Sequence, residues 1–375
     1  MIDGTVARGF EPVRALFAAN FAREDAYREC GAAFCAYADG KNVVDLWGGA
    51  TDPDTQAPWT ADTLINVWST TKGLAAVAVA RCVDRGLFRY EDTVASVWPE
   101  FAQNGKGAIT IAQAMSHQAG LPGFVAPTTT ADLENHQLLA ERIAAQAPVF
   151  LPGSANSYHA VTYGVLAYEI VRRATGKSIG ALIAEDICGP LGADFFLGLP
   201  ETLEPCVARL LPPRVAAPMP PELSDIARLA LINPELDPAS ANRRAWRAAE
   251  MPALNAQASA RGVARVYAAL AADGEVDGVR ILSKAALDAM TTPQTDRTDL
   301  MLGFQPDWGM GVAHNLIGVY GPNPRAFGHS GWGGSFGCAD REARIAIGYV
   351  CNQMGAELIG DPRGAALCAE VFRAL

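Results

Sequence analysis

The sequence predicts an α+β fold, with strands toward both ends of the chain and helices in the middle. Two strand patterns surround the turn Asp39-Gly40, helical patterns and prolines fill residues 90–250, and strand patterns return after Gly333. Because strand-forming and helix-forming stretches are segregated along the chain, we expect an α+β unit with a helical insertion. With 375 residues, half of them apolar, the chain can bury a large core.

The individual elements follow from periodicity and from the residues that begin or end them. Residues 70–85 are mostly apolar and are expected to form a buried helix that stops at Gly86. The other predicted elements are a helix at 11–23, strands at 31–37 and 42–47, a short approach to Ser69 at 63–68, a helix at 160–175, a helix capped by Ser178 that ends near Gly189, irregular loops and short helices at 199–253, a helix at 257–272, strands at 333–339 and 343–351, and a helix at 363–374.

Composition and charge exclude several classes of partner. The net charge of −10 disfavours nucleic acid and anionic membrane surfaces, and no apolar run approaches the roughly 20 residues of a membrane helix. The start Met1-Ile2-Asp3-Gly4 lacks the pattern of a secretory signal, which indicates a cytoplasmic protein whose eight cysteines are free thiols. No H-E-x-x-H, paired Cys/His spacing, Walker A loop or dinucleotide fingerprint occurs, so neither a metal nor a cofactor is expected.

A candidate nucleophile lies at the start of the apolar helix. Ser69-Thr70-Thr71-Lys72 matches S-x-x-K, and positions i and i+3 share one face of a helix. A serine hydroxyl needs a base to become a good nucleophile, and a lysine supplies one when burial lowers its pKa. The helix start also offers free N–H groups that favour an oxyanion. The alternative interpretation is that Ser69 only caps the helix and Lys72 is solvated.

A second serine motif offers a rival nucleophile. The run Gly333-Gly334-Ser335-Phe336-Gly337 matches G-x-S-x-G, the nucleophile elbow of α/β-hydrolases. That elbow needs a strand, a turn and a helix around the serine, and a histidine after it. Here the flanks predict strand, turn and strand, and His329 is the last histidine in the chain. Ser335 is therefore expected to lie in a glycine-rich strand that another group approaches closely.

Three further segments complete an ordered set with Ser69. They are Met115-Ser116-His117-Gln118-Ala119-Gly120-Leu121-Pro122, then Leu151-Pro152-Gly153 followed by Tyr158-His159-Ala160-Val161-Thr162-Tyr163-Gly164, and finally His329-Ser330-Gly331. In order and spacing they resemble the class C β-lactamase superfamily of penicillin-binding-protein-like serine hydrolases, and most closely its family VIII carboxylesterases. The resemblance covers nearly the whole chain. It implies a β-lactamase/transpeptidase-like fold, in which helices flank an antiparallel sheet and a mainly helical lobe is added. The α/β lobe would cover about 1–95 and 255–375, and the helical lobe about 96–254.

The resemblance also implies roles for site residues. Ser69 matches the acylated nucleophile, Lys72 its proton partner, and Tyr158 the tyrosine that shares acid–base work and protonates the leaving group. The backbone N–H groups of Ser69 and Trp332 would form the oxyanion hole. His117 would hold a loop under the site. The strand segment that would line the substrate site is His329, Ser330 and Gly331.

Two departures from the family pattern bear on the substrate. Ala160 replaces the asparagine of Tyr-x-Asn, and His329 stands where β-lactamases usually carry a lysine that holds the β-lactam carboxylate. A neutral imidazole is a poorer carboxylate anchor than an ammonium group. The sequence therefore predicts a serine carboxylesterase for small ester molecules, as a monomer or a homodimer. The alternatives are β-lactamase or D-alanyl peptidase activity with the same nucleophile, or a non-catalytic ligand-binding protein on this scaffold.

Overall fold

The strands follow the order that the sequence predicts, with additional short ones. The computed structural model describes residues 2–216 and 222–375. Its strands are β1 (Ile2–Val6), β2 (Gly31–Ala38), β3 (Lys41–Gly49), β4 (Ile65–Asn66), β5 (Phe195–Phe196), β6 (Gln257–Ala258), β7 (Glu275–Val276), β8 (Val279–Arg280), β9 (Ala313–His314), β10 (Phe327–Ser330), β11 (Phe336–Asp340) and β12 (Ile345–Cys351).

Helices dominate the part of the chain between β4 and β9. The α-helices are α1 (Glu11–Phe21), α2 (Thr70–Asp84), α3 (Val94–Val97), α4 (Ile111–Met115), α5 (His136–Ala145), α6 (Thr162–Thr175), α7 (Ile179–Ile183), α8 (Gly189–Leu191), α9 (Asp225–Leu231), α10 (Arg244–Ala248), α11 (Ala260–Ala271), α12 (Lys284–Thr291) and α13 (Pro362–Arg373), with 3₁₀ turns at Pro99–Ala102, Ala131–Glu134, Glu201–Cys206 and Pro238–Asn242 and a π turn at Ala184–Cys188.

The main sheet joins both ends of the chain. Its order is β1-β3-β2-β12-β11-β10-β9, and every neighbouring pair is antiparallel. Side chains alternate across β2, so Cys35 packs toward the core that contains α11, while Phe34 packs toward α1 and α13. Helices therefore cover both faces of an antiparallel sheet, which confirms the predicted α+β class.

Helix α2 is the buried centre of the molecule. It packs against α6 and α12 on the helical side and against β10 of the main sheet. Most of its residues, from Thr70 to Cys82, are shielded from solvent. The apolar pattern of 70–85 thus predicted both the helix and its burial, and it places the start of α2 next to the strand that carries His329.

Several predicted boundaries differ from the structure by two or three residues, and the two largest differences have local reasons. The strand expected at 333–339 begins only at Phe336, because Gly331–Ser335 form a turn with φ of +89° at Gly333. The helix expected at 257–272 begins at Ala260, because Ser259 Oγ accepts a hydrogen bond from the Gly262 N–H at 3.0 Å and caps it.

The stretch 199–253 contains short helices, as expected from its prolines, and its residues 217–221 lie outside the described residues. The eight cysteines are free, and six of them are buried. In the described part of the chain, every helix is too short or too polar to span a bilayer. The division into an α/β lobe and a helical lobe at 96–254 stays a prediction.

Candidate active site

Ser69 lies in a tight turn between β4 and α2. Trp68, just before it, has φ of +46°, a left-handed conformation that a bulky residue rarely adopts. The turn is closed by the Thr70 N–H, which donates to the Val67 carbonyl oxygen at 3.1 Å. Ser69 Oγ makes no capping hydrogen bond to α2. The interpretation of Ser69 as a simple helix cap is therefore wrong, and its hydroxyl is left for another partner.

That partner is Lys72, one helical turn further along α2. Lys72 Nζ lies 3.0 Å from Ser69 Oγ, 2.7 Å from the Ala160 carbonyl oxygen and 2.9 Å from the Ala253 carbonyl oxygen. The side chain is fully buried, so it is not solvated, and it forms no ion pair within the described residues. Burial lowers the pKa of Lys72 well below 10.5. A neutral amine has two N–H groups for the two carbonyls and one lone pair for the Ser69 hydroxyl.

Tyr158 completes a group of three with Ser69 and Lys72. Its ring centroid lies 4.8 Å from Lys72 Nζ and stacks on Trp308 at 5.6 Å with an interplanar angle of 9°. Burial raises the pKa of the Tyr158 phenol, and a hydrogen bond to Ser69 opposes that rise. The phenol is consequently protonated at neutral pH and able to donate. The structure brings together the three side chains that the sequence singled out.

The segment that carries Trp332 is fastened to the turn that carries Ser69. Ser335 Oγ donates to the Val67 carbonyl oxygen at 2.8 Å and lies 3.1 Å from Thr70 Oγ1. The rings of Trp68 and Trp332 pack at 5.2 Å. As its flanks predicted, Ser335 sits between two strands, and its hydroxyl is occupied by backbone. The geometry therefore gives the G-x-S-x-G serine a structural role.

Two backbone N–H groups are free in this arrangement. The Gly331 N–H donates to the Ser335 carbonyl oxygen at 2.7 Å and the Gly334 N–H donates to the Gly331 carbonyl oxygen at 3.1 Å, which closes the turn. Within residues 2–216 and 222–375, the N–H groups of Ser69 and Trp332 donate to no acceptor. Unsatisfied donors beside a nucleophile are what an oxyanion hole requires.

His329 and Ser330 line the same region from β10. Burial lowers the pKa of His329 to about 3, so its imidazole is neutral. His329 Nδ1 lies 2.8 Å from the Ser330 carbonyl oxygen, which only accepts, so Nδ1 carries the hydrogen and Nε2 is an acceptor. That Nε2 has no partner among the described residues. Ser330 Oγ is 3.0 Å from Tyr320 Oη and is thereby tied to the sheet side.

His117 lies under Tyr158, fully buried. Its Nδ1 accepts from the His159 N–H at 3.1 Å, and its ring meets Trp308 edge-on at 4.4 Å. These contacts support the expected role of His117 in holding a loop beneath the site. Although several histidines gather here, the described residues contain no group of three or more His, Cys, Asp and Glu arranged to hold a metal ion.

Asp299 and Trp308 contact Tyr158 and were missed by sequence reasoning. The Tyr158 N–H donates to Asp299 Oδ1 at 3.0 Å, and the Trp308 indole N–H donates to Asp299 Oδ2 at 3.1 Å. No local pattern links these residues to Tyr158, because 141 positions separate it from Asp299. The run Asp299-Leu300-Met301 offers only the signal of a loop-starting aspartate.

A model of the family described as Beta-lactamase matches residues 17–369 of the chain. The chain belongs to the β-lactamase family. It is 36% identical to the esterase/beta-lactamase LipL of Mycobacterium tuberculosis, in a match that covers 88% of this chain and 78% of that protein.

Two solved structures are similar to this chain over its full length. The crystal structure of a family VIII carboxylesterase superposes with a TM-score of 0.95 at 46% identity, and each chain is covered completely. A penicillin-binding protein homologue from Caulobacter crescentus also gives 0.95, at 42% identity and with complete coverage. These likenesses confirm the predicted fold and family, and they identify this β-lactamase-family member as a serine hydrolase.

Proposed function

We propose that the protein hydrolyses carboxylic esters through an acyl-enzyme on Ser69. The observation that carries the proposal is the 3.0 Å contact between Ser69 Oγ and the amine of Lys72, which is fully buried and has no counter-ion among the residues that the structure describes. A buried lysine of this kind is held neutral and can act as a general base. LipL is named an esterase as well as a β-lactamase, and the first of the two solved structures is a carboxylesterase, which supports esters as the substrate class.

In the first step, Lys72 Nζ accepts the Ser69 proton while Oγ attacks the ester carbonyl carbon. The carbonyl oxygen becomes an oxyanion in the reach of the Ser69 and Trp332 N–H groups. The two N–H groups that Lys72 already has keep donating to the Ala160 and Ala253 carbonyl oxygens. These hydrogen bonds hold the new ammonium in place. The Ser69 and Trp332 N–H groups are preorganised donors, and they stabilise the negative charge that develops on the carbonyl oxygen in the transition state.

In the second step, the tetrahedral intermediate collapses and the bond to the leaving oxygen breaks. The Tyr158 phenol gives that oxygen its proton and regains one from the Lys72 ammonium, so the alcohol leaves neutral. Water then attacks the acyl group; its proton passes back through the same pair, and Ser69 is released with the carboxylic acid. Tyr158 suits the acid role because burial keeps its phenol protonated.

His329 favours a neutral ester over a substrate that carries a carboxylate. Its imidazole is neutral and presents Nε2 as an acceptor, which repels rather than attracts a carboxylate oxygen. In the β-lactamases that the sequence resembles, a lysine fills this position. We therefore expect turnover of uncharged short-chain esters and weak or no turnover of β-lactams.

The test compares Ser69→Ala with Ser335→Ala as a matched serine pair. Both variants and the wild type are assayed with p-nitrophenyl esters and with nitrocefin, and each is treated with a fluorophosphonate and analysed by peptide mass spectrometry. We expect the wild type and Ser335→Ala to hydrolyse the esters and to carry the adduct on Ser69. Ser69→Ala should lose both.

Three results would contradict the proposal, each in a different way. Nitrocefin turnover without ester turnover would assign β-lactamase activity to Ser69. Activity in Ser69→Ala that is absent in Ser335→Ala would revive the nucleophile elbow. A folded wild type with neither turnover nor adduct would indicate a ligand-binding protein on this scaffold.

A further inference from the structure

Asp299 is a buried carboxylate that belongs to none of the catalytic steps above. It is fully shielded from solvent and forms no ion pair within the described residues. Five N–H groups donate to it instead. Oδ1 accepts from the backbone N–H groups of Tyr158, Met301 and Leu302, each at 3.0 Å, and Oδ2 accepts from Asn156 Nδ2 at 3.2 Å and Trp308 Nε1 at 3.1 Å.

Burying a carboxylate without a counter-ion is costly unless its oxygens are hydrogen-bonded. The five donors offset that cost only while they stay in place, so the charge holds three pieces of chain together: the segment before Tyr158, the loop at 299–302 and Trp308. Met301 and Leu302 also pack against the Tyr158–Trp308 pair. Asp299 is thus a shared anchor for the Tyr158 backbone, the loop at 299–302 and Trp308.

Asp299 restricts the movement of the Tyr158 phenol through two separate hydrogen bonds. The Tyr158 backbone is fixed at Oδ1, and the indole that stacks on the Tyr158 ring is fixed at Oδ2. Rotation or retreat of the ring would have to break one of these bonds or the stacking. Proton donation to a leaving group requires hydrogen-bond geometry that small displacements destroy.

We propose that Asp299 is a positioning residue that aims the Tyr158 phenol at the leaving oxygen of the ester. The inference rests on the ester hydrolysis proposed above and extends it to a residue outside the reacting groups. The inference predicts that the loss of activity depends on the leaving group of the ester, which a general loss of structure would not produce. An aliphatic alkoxide must be protonated to leave, whereas p-nitrophenolate leaves without a proton.

The experiment compares two esters of one acid, a p-nitrophenyl ester and an alkyl ester, on four proteins. They are the wild type, Asp299→Asn, Trp308→Phe, and the double variant. In Asp299→Asn the amide oxygen can keep the three backbone N–H donors, but the new NH₂ group faces the donors of Asn156 and Trp308. We expect kcat/KM, which reports acylation and not deacylation, to fall by about 100-fold for the alkyl ester and by less than about tenfold for the p-nitrophenyl ester.

Trp308→Phe removes the indole donor but keeps an aromatic ring, so we expect a smaller loss with the same dependence on leaving group. Because both changes act on one hydrogen bond, the double variant should lose no more than Asp299→Asn alone. The matched control is Asp340→Asn, another buried carboxylate that accepts from Asn323 Nδ2 and from the Glu342 and Ala343 N–H groups far from the site. It should lower kcat/KM for the two esters equally or not at all.

Equal losses on both esters in folded Asp299→Asn, or no loss on either, would overturn the inference. If Asp299→Asn does not fold, Trp308→Phe decides by the same ratio of kcat/KM values. Failure of the wild type to hydrolyse either ester would instead overturn the proposed function, so the two failures are distinguishable.

Discussion

The amine of Lys72 is the residue on which the proposed chemistry depends most directly. It works as a base only if it is neutral, and its neutrality comes from burial between the Ala160 and Ala253 carbonyls rather than from a nearby cation. A side chain that cannot lose its charge, such as the somewhat longer arginine, would therefore place a cation beside Ser69 without being able to accept its proton.

Lys72→Arg tests this requirement. Guanidinium stays protonated in proteins and has no lone pair for the Ser69 proton. We expect kcat/KM for p-nitrophenyl esters to fall by at least about 100-fold, and phosphonylation of Ser69 to slow in parallel. Circular dichroism of the variant checks that it folds. A variant that keeps its rate within about tenfold of the wild type would assign the base to another group.

At the residue scale, the buried side chain of His159 also makes the stability of the folded protein depend on pH. Nδ1 lies 2.6 Å from the Ser157 carbonyl oxygen and Nε2 accepts from the Leu121 N–H at 3.3 Å, so both nitrogens are satisfied only in the neutral ring. Burial lowers the pKa of His159 to about 4 from 6.5. Since the unfolded chain binds a proton that the folded chain refuses, the contribution to stability is full above pH 6.5 and is lost as pH falls toward 4.

His159→Gln removes that titration, and the measurement is the free energy of unfolding in urea for both proteins from pH 8 to pH 5. Relative to the variant, the wild type should lose about 2 kcal/mol between pH 6.5 and pH 5, because each pH unit is worth about 1.36 kcal/mol. A difference between the two proteins that does not change with pH would show that His159 takes up its proton without cost.

The sequence predicted some of the site residues from local geometry, some only from resemblance, and some not at all. Ser69 and Lys72 are three positions apart on one helix, so their encounter follows from helical geometry alone. Tyr158 and His329 entered only through resemblance, since nothing local ties them to Ser69. Asp299 was out of reach because its contacts with Asn156 and Tyr158 join segments that are 143 and 141 positions apart. The same holds for the Ala160 and Ala253 carbonyls, which carry no side-chain signal.

At the scale of elements, the site depends on the contact between the turn at 67–70 and the turn at 331–335, which we call the seam. The turn at 67–70 carries Ser69 and the turn at 331–335 carries Trp332, and Gly331 lies where they touch. A Cβ at Gly331 would overlap the Val67 carbonyl oxygen and Ser335 Oγ. The seam therefore closes only with glycine at this position.

Gly331→Ala should push the two turns apart and misplace one oxyanion donor. We expect kcat to fall by about 100-fold or more, the usual cost of losing one such donor, while Ser69 keeps its contact with Lys72 on α2. Gly107→Ala is the control, because its Cβ would meet only Ala102 at an ordinary 3.8 Å. An unchanged kcat in folded Gly331→Ala would show that the seam does not set the oxyanion geometry.

The glycines of this seam also explain where element prediction failed. The pattern of residues 333–339 is that of a strand, but Gly333 adopts positive φ and the chain turns before Phe336. Propensity describes single residues, whereas the turn arises from the close approach of β10 to the start of α2. The long apolar helix α2 carries no comparable ambiguity, and the sequence predicted its bounds within one residue.

At the scale of the molecule, one core runs through both the sheet and the helices. Cys35 of β2, Val77 of α2, Leu166 of α6 and Val263 of α11 belong to the same buried cluster. Contiguous cores of this kind unfold cooperatively.

We therefore expect one unfolding transition. Denaturation followed by far-UV circular dichroism and by tryptophan fluorescence should give coincident curves with a common midpoint. Two transitions, or curves that separate, would mean that the helical residues 96–254 form a unit that loses its structure independently of the sheet.

The packing of Trp332 on Trp68 has a practical consequence. Trp332 is partly exposed at the mouth of the site, and its backbone N–H is a proposed contact of the bound acyl group, so the local polarity around its indole should change when Ser69 is acylated. The protein thus contains an intrinsic optical reporter. Stopped-flow emission from this tryptophan pair would time the arrival and departure of unlabelled, colourless esters that no chromogenic assay can follow.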